Sequence, residues 1–277
     1  MRNKVAAIAF AATSVTTRAE DGFPTCGSCW CVPDDGGMAP CPNPVPQTAF
    51  DEVTIEGFRA KRPIDILRLE CNPYDDPSCA TSPPQEFIDM GDGAVCALIY
   101  DQGNCSSYSM VSFESWADFE GDPSASTRGV VTHEGSCGLC STAQDLSVYL
   151  REDFTTAGKQ CATRGLRNES AGFECYEALG LTAECAKIWN YDGIYDGTQC
   201  LQPCASHITD PNNGPPPACT LSPCLECDEV QAGPVFSSMG GRTRRRSGLL
   251  SEIIRNCSSV ASGITHDPNA NCGSSAS

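Results

Sequence analysis

The segment His133–Leu150 reads HEGSCGLCSTAQDLSVYL, and it marks the position at which the sequence pattern changes from strands to helices. Before it, Gly129–Thr132 (GVVT) is short and β-branched, which is typical of a strand. Within it, Ser141–Gln144 (STAQ) has the spacing of a capping box, in which the hydroxyl caps a helix and the glutamine reaches back. The spacing therefore predicts a strand, a cysteine-containing turn and a helix capped by Ser141.

Upstream of this segment, residues 49–136 contain further short runs of β-branched and aromatic residues. Val95–Tyr100 (VCALIY) and Tyr108–Phe113 (YSMVSF) have the length and composition of strands. A candidate short helix, Ser115–Phe119, follows the second of these strands. We therefore predict a small mixed sheet in an α+β region.

Downstream of the turn, residues 137–205 have a helical period. The first helix has four apolar residues on one face, namely Ala143, Leu146, Leu150 and Phe154. A second helix is predicted over Ser170–Leu179, and a third begins at Thr182. Cys175 and Cys185 lie on neighbouring helices of this hairpin, and a bridge between them is our hypothesis. The region is predicted to be a disulfide-stapled helical subdomain.

The remaining segments are rich in turn-forming residues and cysteine. Residues 20–48 form a Cys/Pro-rich loop segment, and residues 206–234 form a Pro/Cys-rich linker. Residues 235–277 contain an Arg-rich segment, a short helix beginning at Ser247 and a polar tail. The predicted fold class is thus α+β, with a small mixed sheet followed by a disulfide-stapled helical subdomain and many loops.

Residues 1–19 have the features of a secretory signal peptide. Arg2 and Lys4 precede the short apolar stretch Val5–Ala12 (VAAIAFAA), and small residues follow up to Ala19. The chain contains 20 cysteines, an even number that allows complete pairing. In an exported chain this cysteine usage indicates a disulfide framework. We therefore predict a secreted, extracellular protein.

Asn-x-Ser sequons begin at Asn104, Asn168 and Asn256. This tripeptide is the acceptor for N-linked glycans in exported proteins. The three asparagines are therefore the predicted glycosylation sites.

Charge and hydropathy exclude some partners. The net charge of −17 argues against nucleic acid, because phosphate binding needs a basic surface. No apolar run reaches about 18 residues, so the sequence predicts no transmembrane helix. The three histidines, His133, His207 and His266, are far apart, and we predict no metal site and no cofactor. The sequence leaves the oligomeric state open.

The thiol candidates for catalysis are Cys137 and Cys140, with His133 nearby. Gly135–Cys140 (GSCGLC) resembles the motif of papain-family cysteine proteases, which implies Cys140 as nucleophile and His133 or His266 as base. The same cysteines resemble a thioredoxin-type Cys-Gly-x-Cys, which implies a reactive thiolate at Cys137. In the alternative structural interpretation, both cysteines are bridged elsewhere and His133 is a hydrogen-bonded residue at a strand end.

Arg242–Gly248 (RTRRRSG) is the most concentrated charge feature of the sequence. It contains four arginines: Arg242, Arg244, Arg245 and Arg246. One interpretation is a convertase-type cleavage signal, with the cut after Arg245. A second is an anion site, in which the arginines and a helix capped by Ser247 bind carboxylate, sulfate or phosphate. In a third, the arginines pair with the protein's own carboxylates, such as Asp228 and Glu229.

Several blocks of the sequence carry a family resemblance. HEGSCGLCSTAQDLSVYL, NNGPPPACTL, CDE and GRTRRRSGL together resemble an uncharacterised family of secreted cysteine-rich proteins. The resemblance extends over most of the chain beyond about Val95. It implies a folded unit and brings no assigned activity with it.

Three hypotheses about function follow. The leading one is a secreted disulfide-rich glycoprotein that acts as an extracellular binding or surface component for an anionic glycan or another extracellular ligand. The alternative is a thiol-dependent enzyme, acting by thiol–disulfide exchange or as a cysteine hydrolase at Cys137 and Cys140. The third is a lipid-contacting helical bundle, because the spacing from Cys137 to Cys204 is similar to that of saposin-like proteins.

Overall fold

A computed structural model describes residues 31–32, 50–83, 93–102, 104–206, 210–214, 219–256 and 259–272. The predicted signal peptide, most of the 20–48 segment and His207 lie outside the described residues. Within the described part, the chain forms a mixed α+β fold, as the sequence predicts.

The described residues form eight strands and ten α-helices. The strands are β1 (Cys31–Val32), β2 (Arg62–Pro63), β3 (Arg68–Leu69), β4 (Thr81–Ser82), β5 (Val95–Asp101), β6 (Asn104–Phe113), β7 (Gly129–Glu134) and β8 (Arg255–Asn256). The helices are α1 (Glu52–Arg59), α2 (Trp116–Gly121), α3 (Pro123–Arg128), α4 (Ala143–Arg151), α5 (Phe154–Arg167), α6 (Glu169–Ala178), α7 (Ala183–Gln199), α8 (Leu201–Ser206), α9 (Pro223–Gln231) and α10 (Gly233–Met239). None of these helices is both long and apolar enough to cross a lipid bilayer.

The main sheet has four strands in the order β2-β6-β5-β7. Strand β5 pairs antiparallel with both β6 and β7, while β2 joins the far edge of β6 in parallel. The three strands predicted around Val95–Tyr100, Tyr108–Phe113 and Gly129–Thr132 are thereby confirmed. The short helix predicted after the second of them is α2, capped by Ser115.

Strand β5 is apolar over nearly its whole length because both of its faces are covered. Val95 and Ala97 pack on one face against Phe119 of α2. Leu98 and Tyr100 face the main core, which is formed with helices α1, α4, α5, α6 and α7. The sheet is therefore a middle layer, with two short helices on one side and the helical subdomain on the other.

Helix α4 begins one residue later than the sequence analysis predicts. Its N-cap is Thr142, whose Oγ1 accepts from the Asp145 amide at 3.0 Å and donates to the Asp145 carboxylate at 2.6 Å. The prediction of Ser141 as the cap is wrong because the Ser141 hydroxyl has other partners: the amide of Gly138 and the ring of His133. The Thr142 hydroxyl is thus a side-chain N-cap whose orientation is fixed by the Asp145 carboxylate.

Seven disulfides join the described residues. They are Cys71–Cys79, Cys96–Cys137, Cys105–Cys272, Cys140–Cys185, Cys161–Cys175, Cys200–Cys227 and Cys204–Cys224. The predicted Cys175–Cys185 bridge is wrong. Cys175 on α6 instead faces Cys161 on α5, and Cys185 in the first turn of α7 faces the turn before α4.

Part of the predicted 206–234 linker is helical. Helix α9 lies within the predicted 206–234 linker and is tied to Cys200 and Cys204 by two disulfides. The helix predicted from Ser247 is wrong, because Arg245–Ser247 is a single 3-10 turn. Gly248 follows it in the left-handed conformation, with φ 66°, and residues 249–254 continue without helix.

Candidate functional site

The turn between β7 and α4 packs directly against the glycines that follow α10. The amides of Leu139 and Cys140 donate to the carbonyls of Met239 and Gly240, each at 2.9 Å. A Cβ at Gly138 would lie 2.5 Å from the Met239 carbonyl oxygen, so only glycine fits at this contact. The HEGSCGLCS and GGRTRRRSG segments, distant in sequence, therefore form one structural unit.

His133 and Ser141 meet inside this unit, and both residues are fully buried. His133 Nδ1 lies 2.8 Å from the Glu134 carbonyl oxygen, which can only accept, so Nδ1 carries the proton. His133 Nε2, 2.7 Å from Ser141 Oγ, then accepts from the serine hydroxyl. In this arrangement a neutral histidine can act as a general base toward a serine hydroxyl. Here, however, both side chains are inaccessible to solvent. Burial and the neighbouring charge of Arg242 lower the pKa of His133.

Arg242 is the centre of the unit and is fully buried. Its five N–H groups all donate: to the Cys140 carbonyl at 3.0 Å, the Thr132 carbonyl at 3.0 Å, Thr132 Oγ1 at 3.0 Å, the Ser141 carbonyl at 3.2 Å and Ser247 Oγ at 3.2 Å. Burial lowers its pKa to about 10, so the guanidinium remains charged at neutral pH. Arg242 therefore ties the sheet edge, the cysteine turn and the 3-10 turn together.

The other arginines of this segment also bind the protein itself. Arg244 donates to the carbonyls of Tyr149 and Glu152, each at 2.6 Å. Arg245 forms an ion pair with Glu229 at 2.8 Å, the kind of pairing that the third interpretation anticipates. Arg246 donates to the Ser237 carbonyl at 2.9 Å.

The predicted anion site depends on a helix that starts at Ser247 and on arginines that reach solvent. Arg242 is 0% exposed and Arg244 is 8% exposed, and the chain after Ser247 is not helical. Ser247 itself is fully buried and accepts from Arg242 rather than capping a helix. Backbone carbonyls accept hydrogen bonds from the N–H groups of Arg242 and Arg244 that an anion would need. The two arginines therefore act as internal cross-links.

Cys137 and Cys140 are buried, and each forms a disulfide with a different element. Cys137 is bonded to Cys96 of β5 with a Cα–Cα distance of 4.8 Å, and Cys140 to Cys185 of α7 with 4.6 Å. The thiol-enzyme hypothesis needs a thiolate or a bridge between Cys137 and Cys140 themselves. In this structure, both sulfurs instead hold the turn against the sheet and the helices, as the structural interpretation anticipates.

His266 completes the environment of Arg242 from the C-terminal segment. Its Nε2 donates to the Ser247 carbonyl at 2.8 Å, and its ring packs edge-on against Phe50. Its Nδ1 is buried and has no hydrogen-bond partner among the described residues. Burial lowers the pKa of His266 to about 4. We call His133, Ser141, Arg242, Ser247 and His266 the Arg242 cluster.

A second group of ionisable residues, each half-buried, lies where α7 meets α9. We call it the aspartate cluster: Tyr74, Asp192, Asp196, Asp228 and Glu229. The Tyr74 hydroxyl is 2.6 Å from Asp192 Oδ1. Glu229 binds Arg245 and also Arg255, the latter at 2.7 Å. Burial raises the pKa of Asp196 to about 6 and that of Asp228 to about 7, and it also raises the pKa of Asp192.

A shallow cleft of about 180 Å³ lies between α6 and α7. It is lined by Glu169, Ser170, Phe173, Lys187, Asn190 and Tyr191. Among the described residues, no group of three or more His, Cys, Asp or Glu side chains is arranged to hold a metal ion.

Residues 169–263 match the model of a family described as "Family of unknown function (DUF8771)". The match covers about a third of the chain and includes α6 to α10 and the arginine segment. No curated protein and no solved structure matches the chain. These findings are consistent with the resemblance to an uncharacterised family.

Four members of the Arg242 cluster, His133, Arg242, Ser247 and His266, were candidates from the sequence, whereas Ser141 was assigned to a helix cap. Of the aspartate cluster, only Asp228 and Glu229 were named, as possible partners of the arginines. Asp192 and Asp196 recur in the repeat YDGIYDG (191–197), a four-residue spacing that places both on one helix face. That spacing was the available signal, whereas Tyr74 and Asp228 reach the site only through tertiary packing.

Proposed function

We propose that this protein is a secreted, glycosylated extracellular component that acts through its folded surface as a binding or surface protein. The observation that carries the proposal is the disulfide pattern: none of the described cysteines is free. Seven disulfides persist in an oxidising compartment and are rare where thiols are kept reduced. Three of them, with sequence separations of 41, 45 and 167 residues, join distant elements.

The sequon at Asn168 supports the glycosylation part of the proposal. Asn168 is exposed at the junction of α5 and α6, where its Oδ1 caps α6 by accepting from the Ala171 amide at 3.3 Å. A glycan would be attached to the other side-chain atom, Nδ2, so the cap and the modification are compatible. Asn104 and Asn256 are also exposed and are proposed as further sites.

The arginine segment has a structural role in this proposal. Arg242 and Arg244 are buried and bind carbonyl groups, so the surface that contacts a partner lies elsewhere. We also propose that the chain is not cleaved after Arg245. The next residue, Arg246, belongs to a folded turn. Cleavage there would require the turn to unfold first.

The test is expression of the full chain, from Met1, in a eukaryotic secretory host. We expect the protein in the medium, shortened at its N-terminus, with no thiol that reacts with maleimide after denaturation without reductant. Treatment with an N-glycosidase should increase its electrophoretic mobility, and Asn168→Gln should remove one glycan. Asn269→Gln, an exposed asparagine outside any sequon, is the matched control and should change nothing.

Two results would contradict the proposal. Retention of the full chain inside the cell as a folded, reduced protein would refute export. A titratable thiol at Cys137 or Cys140 in the secreted protein would favour the enzyme hypothesis instead.

A further inference from the structure

The cleft between α6 and α7 lies beside a close contact of the two helices. Asn190 on α7 is 2% exposed, and its Nδ2 donates to the Glu169 carbonyl in the first turn of α6 at 3.0 Å. A Cβ at Gly172 would clash with Asn190 Oδ1, so α6 approaches α7 this closely only with glycine at that position. The packing of the two helices therefore holds the walls of the cleft in place.

The lining of the cleft combines aromatic rings with polar groups. Phe173 and Tyr191 are both half-buried, so part of each residue remains accessible. The hydroxyls of Tyr191 and Ser170 have no hydrogen-bond partner within the described part of the chain. A sugar ring has matching surfaces, because its faces carry C–H groups that pack on aromatic rings and its edges carry hydroxyls. The chemistry of the lining therefore fits a sugar.

The charges at the cleft do not favour an anion. Lys187, the cation of the lining, is already paired with Glu184 on the same helix, at 2.8 Å. The Glu169 carboxylate lies on the α6 side of the cleft and is exposed. Two carboxylates thus accompany one ammonium group, and a neutral sugar fits the site better than a sulfated or phosphorylated one.

The cleft begins at a glycosylation sequon. Asn168 directly precedes the lining residue Glu169, and Ser170, the third residue of the sequon, also lines the cleft. Asn168 Oδ1 caps α6 through the Ala171 amide, which leaves Nδ2, the atom that carries a glycan, without a partner among the described residues. Adjacent Cα atoms are about 3.8 Å apart, so a sugar on Asn168 begins within one residue of the cleft wall.

The other two sequons do not adjoin this cleft. Asn104 lies on β6, where its Nδ2 donates to Ser107 Oγ at 2.9 Å, and Asn256 lies on β8. The residues that line the cleft all belong to α6 and α7. Of the three sequons, Asn168 is thus the one that places an attached sugar next to an aromatic cleft.

We propose that the cleft between α6 and α7 binds the first N-acetylglucosamine residue of a glycan attached to Asn168. The apolar face of this sugar packs on the rings of Phe173 and Tyr191, and its polar edge faces Ser170. The start of the glycan thereby becomes part of the α6–α7 surface instead of projecting freely into solvent. This inference rests on the glycosylation of Asn168 in the proposed function, and it adds where the sugar lies.

The test uses the full chain, secreted by a eukaryotic host that is fed ¹³C-labelled glucosamine and makes high-mannose glycans, which an endoglycosidase trims to the first sugar. Mass spectrometry of the glycopeptides establishes whether Asn168 carries the sugar. In the folded protein, we expect nuclear Overhauser effects between protons of the Asn168 sugar and ring protons of Phe173 and Tyr191. The sugar on Asn104, where attached, is the internal control and should show no such contacts.

A second readout is the release of the untrimmed Asn168 glycan from the folded protein by an N-glycosidase. Phe173→Leu keeps an apolar side chain but removes the ring. We expect it to speed the release about tenfold, because the first sugar must leave the cleft before the enzyme reaches its bond. Glu174→Gln, an exposed neighbour on α6, is the matched control and should leave the release rate unchanged.

The outcomes separate this inference from the proposed glycosylation. An Asn168 peptide without sugar would refute the glycosylation and, with it, the inference. A sugar that is attached but contacts neither ring would overturn the inference alone. Ring contacts that appear only at high protein concentration would mean that a second copy of the chain occupies the cleft, and would overturn it as well.

Discussion

The Arg242 cluster buries its ionisable groups and the aspartate cluster half-buries them, and the two clusters accommodate these groups in opposite ways. In the Arg242 cluster, each of the five guanidinium N–H groups has an acceptor, and the two histidines are held neutral. In the aspartate cluster, carboxylates outnumber the cations, and Asp196 Oδ1 has no partner among the described residues. In the first cluster the buried donors have acceptors, so it acts as a cross-link. In the second cluster the charged carboxylates repel one another, and protonation relieves this repulsion.

This difference gives the two regions opposite responses to pH. His133 and His266 have a lowered pKa in the folded state, so the stability they contribute is present above pH 6.5 and is lost as the pH falls. Asp196 and Asp228 have a raised pKa, so their contribution is complete below about pH 4 and is lost as the pH rises toward 7. A lower pH should therefore stabilise the α7–α9 contact and destabilise the Arg242 cluster.

The largest effect is expected at Arg242. Arg242→Met keeps a long apolar side chain but leaves buried carbonyls and hydroxyls of Thr132, Cys140 and Ser141 without donors. We expect the free energy of unfolding to fall by about 4 kcal/mol. Chemical denaturation at pH 7 measures it. Arg59→Met, which removes an exposed ion pair with Glu56, is the control and should cost less than about 1 kcal/mol.

An Arg242→Met variant with nearly wild-type free energy of unfolding would contradict this expectation. It would mean that water or a rearranged backbone satisfies those acceptors, and that the Arg242 cluster is not a cross-link.

The next effect is expected at Asp228, with the opposite sign. Burial raises its pKa to about 7, so at pH 8 the folded state holds a charge that it disfavours. Asp228→Asn should stabilise the protein by about 2 kcal/mol at pH 8 and change little at pH 4.5, because one pKa unit corresponds to about 1.4 kcal/mol and the residue is only half-buried. Thermal unfolding at the two pH values measures the difference.

Glu226→Gln on the exposed side of the same helix is the matched control and should change stability at neither pH. If Asp228→Asn instead destabilises the protein at pH 8, the carboxylate is charged and favourably paired, and the contrast between the clusters is wrong.

The smallest effect is expected at His266. Between pH 6.5 and pH 4, the unfolded chain takes up a proton that the folded protein, with a pKa of about 4, rejects. His266→Gln should therefore reduce the loss of stability between pH 7.5 and pH 5.5 by about 1 kcal/mol, because this interval extends about one pKa unit below the unfolded value. Denaturation at both pH values measures this. An unchanged slope would show that the ring is accessible to protons in the folded state.

The sequence predicts the elements whose signal is local. The strands around Val95, Tyr108 and Gly129 follow from runs of β-branched and aromatic residues, and α2 follows from Ser115 and its short amphipathic stretch. The position of the α4 cap was wrong by one residue because two adjacent hydroxyls, Ser141 and Thr142, compete for that role. The tertiary contact with His133 decides between them.

The features that could not be predicted are those set by distant partners. Cysteine spacing suggests Cys175–Cys185, but helix packing brings Cys161 to Cys175 and leaves Cys185 for Cys140. The arginine segment suggests a surface for anions because its charge is dense. Its burial follows from carbonyl groups of β7 and the cysteine turn, which lie about 100 residues earlier in the chain.

The Cys-Gly-Leu-Cys turn is a structural junction that disulfides hold to two different layers, the sheet and the helical subdomain. Peptide mapping of the non-reduced protein by mass spectrometry tests it most directly. We predict linked peptides that contain Cys96 with Cys137 and Cys140 with Cys185. A bridge between Cys137 and Cys140, or either residue recovered as a free thiol, would contradict it.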